Sequence, residues 1–277
     1  MPVTSSASPA TESPTMEKHI IGRGVLAGVA GAVSAFVFAR IFLEPVIERA
    51  IGYEEGVSAA HEASHGGHSH GEGVELFTRA VQANIGMGFG VLAFSAAMGA
   101  LLAVVFCVTY GHIGDISARA LSGVLAAGML LSVWVVPALK YPPNPPAVSL
   151  DGTLQQRTLL YVLMVVLSVV ILVAAVHLGR RLTTKLGAWN AALSAGGAYV
   201  GAVAVLMLVL PTIDETPGPI VDDAGVIVFG GFPADDLYEF RLYSFGTQLV
   251  MWVAIALVFG ALVSRVVEGA RRQVVPT

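Results

Sequence analysis

Charge is what this chain has least of. Only 12% of its 277 residues are Asp, Glu, Lys or Arg, against about 25% in an ordinary soluble domain. A 28.7 kDa chain that is 55% hydrophobic cannot hide its apolar surface by folding on itself, so lipid must solvate part of it. Cysteine is nearly absent too. The single Cys107 lies in an apolar run, which excludes an internal disulfide framework and leaves thiolate out of any multi-ligand metal site. No G-x-x-x-x-G-K-S/T segment is present, so the chain does not itself hydrolyse ATP through a phosphate-binding loop. A dinucleotide fingerprint, a haem attachment motif and a basic stripe for nucleic acid are also missing. No tightly bound cofactor is expected, and no enzymatic activity.

What the chain has in quantity is apolar sequence. Six stretches, 24–47, 85–109, 120–139, 159–178, 188–210 and 243–266, reach the roughly 20 residues that cross about 30 Å of hydrocarbon at 1.5 Å per helical residue. Helices pair every backbone group within their own segment, as lipid requires. The expected fold is an all-α polytopic membrane protein, a bundle of about six transmembrane helices with short cytoplasmic loops and two longer extracytoplasmic loops. Residues 1–19, rich in Ser, Thr and Pro, are expected to form a disordered cytoplasmic tail. Residues 20–267 form a single transmembrane domain, and 268–277 a second cytoplasmic tail.

The loops alternate in charge. With the N-terminus in the cytoplasm, the inner set holds nine Lys/Arg (Lys18, Arg23, Arg119, Arg180, Arg181, Lys185, Arg265, Arg271, Arg272) and the outer set five (Arg49, Arg79, Lys140, Arg157, Arg241). The positive-inside rule favours this orientation, with both termini cytoplasmic. Most carboxylates then fall outside, where an acidic face concentrates divalent cations.

The same outer face carries His61, His65, His68 and His70 in the stretch HEASHGGHSH. Neutral imidazole is a good ligand for first-row transition metals. Gly66, Gly67, Gly71 and Gly73 make the stretch pliable, which suits capture and release of an ion better than a tight structural site. A hydrophilic spacer is the plainer reading of such a loop. The segment also contains a literal H-E-x-x-H, His61 to His65, the pattern of a zinc protease. Its context opposes that: Gly66-Gly67 would end any helix at once, and the longer form of the motif fails, since His68 stands where Gly belongs.

Weaker candidates for metal contact are Glu44 and Glu48 at the outer end of the first span and Asp214 and Glu215 directly after the fifth. Arg40 and Glu44, spaced i,i+4, also read as a self-neutralising pair that snorkels to the interface. Arg241 is an equally good reading as counter-ion to Asp214 and Glu215. The third span ends in Leu139-Lys-Tyr-Pro-Pro-Asn-Pro-Pro-Ala147, a rigid outer segment that reads as a brace or lid. Gly24/Gly28, Gly86/Gly90 and Gly197/Gly201 are pairs at GxxxG spacing, which lets helix backbones approach.

Three segments together resemble the CbtA family, proposed cobalt transporter subunits of bacterial cytoplasmic membranes. They are the Pro-rich run, the Leu210-Pro211 turn followed by Asp214-Glu215, and Phe232-Pro-Ala through Phe240-Arg241 to Ser244-Phe-Gly246-Thr-Gln248 and Trp252. The similarity covers about Arg23 to Val267. It implies a multi-pass protein of the bacterial plasma membrane that carries a divalent transition metal, cobalt above others, and works with a small single-span, His-bearing partner subunit. The spans themselves hold few polar residues, so a partner or a homo-oligomer is expected to complete any path. The alternative is an extracytoplasmic metal-binding or sensing membrane protein without translocation.

Overall fold

The computed structural model describes residues 13–65, 78, 81–112, 114, 116–148, 151–222 and 224–274. Helix dominates them. α1 (Ser13–Phe38) passes through a π-helical turn (Ala39–Leu43) into α2 (Glu44–His65). A second π turn (Gln82–Gly86) opens into α3 (Met87–Thr109). α4 (Ala118–Met129) passes through a third (Leu130–Val135) into α5 (Val136–Lys140). α6 (Asp151–Val209), a ribbon of β1 (Ile220–Val221) and β2 (Ile227–Phe229), and α7 (Ala234–Val274) complete the order.

Among the described residues five helical stretches are long and apolar enough to cross a membrane: Met16–His61, Asn84–Thr109, Ala118–Lys140, Gly152–Val209 and Ala234–Val267. In the most apolar window of the fourth, only 17% is buried within the protein. Leaving such surface in water would cost about 25 cal/mol per Å², and lipid removes that cost. The chain is thus a mostly helical protein built for a membrane.

The fourth stretch is not one rod. Straight, the 59 residues of α6 would run about 90 Å, three times the hydrocarbon thickness. Gly187 breaks it, at φ 76° and ψ 165°. The Ser168 hydroxyl lies 2.9 Å from that of Tyr199, and Gly179 packs on Ala195. Such partners meet only if the helix doubles back, so α6 is a helical hairpin, closed by Met164, Ala175, Tyr199 and Val203. Only glycine populates that backbone region without strain. Gly187→Ala is therefore expected to destabilise the fold by about 1–3 kcal/mol, read as a lower thermal midpoint of the purified chain.

Proline accounts for two of the π turns. It offers no N–H to the carbonyl four residues back, and its ring crowds that carbonyl. Pro45 follows the first π turn and Pro137 the third. The wider winding has the Glu44 N–H bonding Ala39 O and the Val136 N–H bonding Leu131 O, each five residues back. The second π turn has no proline after it, and nothing in the structure explains it.

The chain divides into two compact units. The first takes α1 to Phe36, Gly86–Ala127 and α7 from Val250. In it α1 and α3 run antiparallel in close backbone contact: a Cβ at Gly24 would meet Gly99 and Ala103, and one at Gly28 would meet Ser95 and Ala96. The Ser95 hydroxyl donates to Gly28 O at 2.7 Å. Gly31 faces Ile255 and Met251, and Phe106 meets Phe259 edge to face. Of the three GxxxG pairs, Gly24/Gly28 makes this contact. Gly90, Gly197 and Gly201 face open space.

The second unit takes 37–85 and 128–249. There α2 runs antiparallel to the start of α7. Arg49 bridges Asp236 at 2.6 Å and Glu239 at 2.5 Å. The Tyr53 ring packs on Phe229 and Phe232, and its hydroxyl donates to Gly230 O at 3.1 Å.

Several expected boundaries move. Helix begins at Ser13, so the tail expected over 1–19 is helical in its last part, with Pro14 in the first turn, where a missing N–H is harmless. Residues 1–12 lie outside the described residues. α2 continues to His65 through what reads as a polar loop from Glu48. Its Ala and Glu residues are good helix formers, and apolar periodicity is blind to a polar helix. α7 extends to Val274, through most of the expected tail 268–277. The ribbon of β1 and β2 adds a little strand to an all-α expectation. It is closed by Gly225 at φ 81° and by Asp222 Oδ1, which accepts the Ala224 and Val226 N–H groups at 2.9 and 2.8 Å.

Candidate functional site

The histidine-bearing arm is α2. Its base is held within the second unit: Glu44, the first residue, is 1% exposed, and Val46 and Ala50 are buried. The Arg49 bridges and the Tyr53 contacts pin the next two turns, and Gly56 meets the Phe229 ring. His61 is exposed, eight residues past Tyr53, or about 12 Å along the axis. His65 is the last residue of α2, one helical turn further. His68 and His70 lie outside the described residues. Among the described residues no group of three or more His, Cys, Asp or Glu side chains gathers into a metal-holding cluster. Glu48 is exposed one turn beyond Glu44. Arg40 Nε donates to Asn84 Oδ1 at 3.3 Å, tying the first π turn to the second.

A second polar assembly forms around the Pro-rich segment. The Tyr141 hydroxyl donates to Pro211 O at 2.8 Å. Burial pushes this phenol above its ordinary range, so it remains a neutral donor at physiological pH. Glu215 is 5% exposed, and both its oxygens are engaged. Oε2 accepts from Arg157 Nη1 at 2.5 Å and from Asn144 Nδ2 at 3.0 Å, and Oε1 accepts from the Thr153 hydroxyl. The other Arg157 nitrogen, Nη2, donates to Pro142 O. Arg241 Nη2 donates to Asn144 Oδ1 at 3.1 Å. The partner of Glu215 is therefore Arg157, while Arg241 is joined to it only through Asn144. Asp214 is exposed, and its Oδ1 accepts the Thr216 N–H at 3.3 Å. Asp214, Glu215, Asn144, Arg157 and Arg241 together line a cavity of about 60 Å³.

The structure thus brings Asp214 and Glu215 to one wall and places Glu44 and Glu48 along α2. Sequence reasoning passes over Arg157, Thr153 and Asn144 as site residues. A signal for the first two exists: Thr153 and Arg157 are spaced i,i+4 at the polar start of an apolar helix, which puts them on one face. Asn144 carries no such signal, because its partners come from distant segments.

The model of the family described as "Probable cobalt transporter subunit (CbtA)" matches residues 17–264. No curated protein and no solved structure matches the chain.

Proposed function

Because the chain belongs to the CbtA family of cobalt transporter subunits, we propose that it is the multi-pass subunit that collects a divalent cobalt ion at the outer face of a bacterial plasma membrane and delivers it into the helical bundle. In this reading the chain crosses six times, the α6 hairpin counting twice, with both termini cytoplasmic. His61 and His65, at the end of α2, and His68 and His70, just beyond it in the sequence, supply the imidazoles that close on an ion and release it. Glu48, Glu44 and Asp214 offer oxygen ligands nearer the bundle. Glu215 is the weakest acceptor of the four while Arg157 neutralises it. The observation that carries the reading is the family match over nearly the whole of a chain whose long helices suit a bilayer.

The buried hydroxyls along the helices support a second subunit or second copy. Ser95, Ser122 and Ser132 each donate to a backbone carbonyl, so their hydroxyls serve the helices, and neutral hydroxyl oxygens alone are poor ligands for a divalent transition metal. A small single-span, His-bearing partner, or a homo-oligomer, would complete the path. The same observation favours the runner-up, a metal-binding or sensing protein that does not translocate.

Exchange of His61, His65, His68 and His70 together for Ala should weaken cobalt binding to the purified chain by more than about tenfold, the loss of 1.4 kcal/mol or more. It should also lower labelled cobalt uptake in cells. Unchanged affinity would remove the arm from the site. Intact binding without any uptake, with or without the partner, would favour the runner-up.

A further inference from the structure

In the Pro-rich assembly two half-buried guanidiniums face a single buried carboxylate. Arg157 is answered by Glu215 at 2.5 Å. Arg241 is not answered in kind: Nη2 reaches only the neutral amide oxygen of Asn144, and Nε is buried with no acceptor among the described residues. Asn144 is engaged on both atoms, Oδ1 by Arg241 and Nδ2 by Glu215, and brings no negative charge to the guanidinium. The Tyr141 hydroxyl is committed to Pro211 O. Asp214 reaches the cavity wall but is exposed and accepts the Thr216 N–H, so water screens its charge. A guanidinium partly drawn out of water, with a buried and unmatched Nε donor, is costly unless an anion or a well-placed acceptor meets it.

The space to meet it is present. Both arginines line the cavity of about 60 Å³, several times the roughly 15 Å³ that a single water needs. With Asp214 exposed at the rim, the enclosed groups are two guanidiniums and one carboxylate, which leaves room for one monovalent ion, and the two carboxylates on the wall disfavour a polyvalent one. We propose that this cavity binds a small monovalent anion of halide size, held by the Arg241 guanidinium with Arg157 as the second positive wall. The site shares no residue with the histidine arm, although Asp214 and Glu215 on its wall are among the oxygen ligands named above, and its test reads halide alone, whatever the direction or substrate of transport. It makes the outer brace sensitive to halide, because an ion that binds only the folded chain stabilises it by mass action.

The test uses the full chain in detergent, with thermal unfolding followed as potassium gluconate is replaced by chloride at constant ionic strength. The midpoint should rise by about 3 °C for each tenfold increase in chloride above its Kd. The Arg241→Gln chain should show no rise. Should that variant not fold, the wild type alone decides through chloride-35 NMR: the line should broaden beyond the detergent blank, and bromide should reverse the broadening. A flat midpoint with an unbroadened line would overturn the proposal and leave the cavity to water. An equal rise in Arg241→Gln, or the same rise with sulfate, would overturn it as a general salt effect.

Discussion

Exchange of Arg157 for Met is expected to cost about 3–5 kcal/mol, because it strands a carboxylate inside protein. Glu215 is 3% exposed at its side chain. Its remaining partners, Thr153 and Asn144, are neutral donors, and neither balances a full negative charge. The Pro142 carbonyl loses its donor in the same step. At about 2–4 °C per kcal/mol for a chain of this size, the thermal midpoint in detergent should fall by about 10 °C. Glu215→Gln should fall nearly as far, since it leaves Arg157 as the orphan. The double exchange Arg157→Met with Glu215→Leu should recover most of the loss, because replacing a whole buried pair by packed apolar groups is often close to neutral. A double variant as unstable as the sum of the singles would show that the two side chains act independently. Single exchanges that move the midpoint by less than about 2 °C would show that the pair does not hold the Pro-rich segment.

That assembly marks where sequence reading stops. The long apolar helices were legible because lipid imposes a length and a composition on each segment separately. The separation of 159–178 from 188–210 was legible from the polar residues Arg180 to Lys185, although not the role of Gly187 as the point of reversal. α2 beyond Glu48 was not legible as helix: periodicity senses a buried face, and this helix is pinned by an ion bridge and one tyrosine instead. The brace was half legible. Consecutive prolines announce a stiff segment, but the choice of Arg157 over Arg241 for Glu215 depends on how α6 starts, which is a matter of tertiary position. The four histidines were legible as residues of one chemistry. The placing of His61 and His65 on the last turn of a helix was not, because that turn owes nothing to their being histidine.

Close approach of α1 and α3 predicts the second large effect. A Cβ at Gly99 would stand 2.8 Å from Gly28 N and 2.9 Å from Gly28 Cα, and closer still to Gly24 O. These are backbone atoms, so no flexible side chain can turn aside, and relief requires the two helices to separate along their length. Separation would break the Ser95 hydrogen bond to Gly28 O and open the packing of Gly24 on Ala103. Helix association in lipid rests on such contacts, because lipid tails solvate apolar side chains as well as protein does. Gly99→Leu is therefore expected to cost more than about 3 kcal/mol, at or beyond the upper end of overpacking penalties. It should abolish a monodisperse peak on size exclusion in mild detergent. Gly99→Ala should show the same defect in weaker form, since the first carbon already collides. Gly90→Leu is the matched control: it lies on the same helix with open space around it and should change stability by less than about 1 kcal/mol. Equal behaviour of Gly99→Leu and Gly90→Leu would mean that the helices do not meet through this glycine, and the packing of α1 on α3 would have to be redrawn.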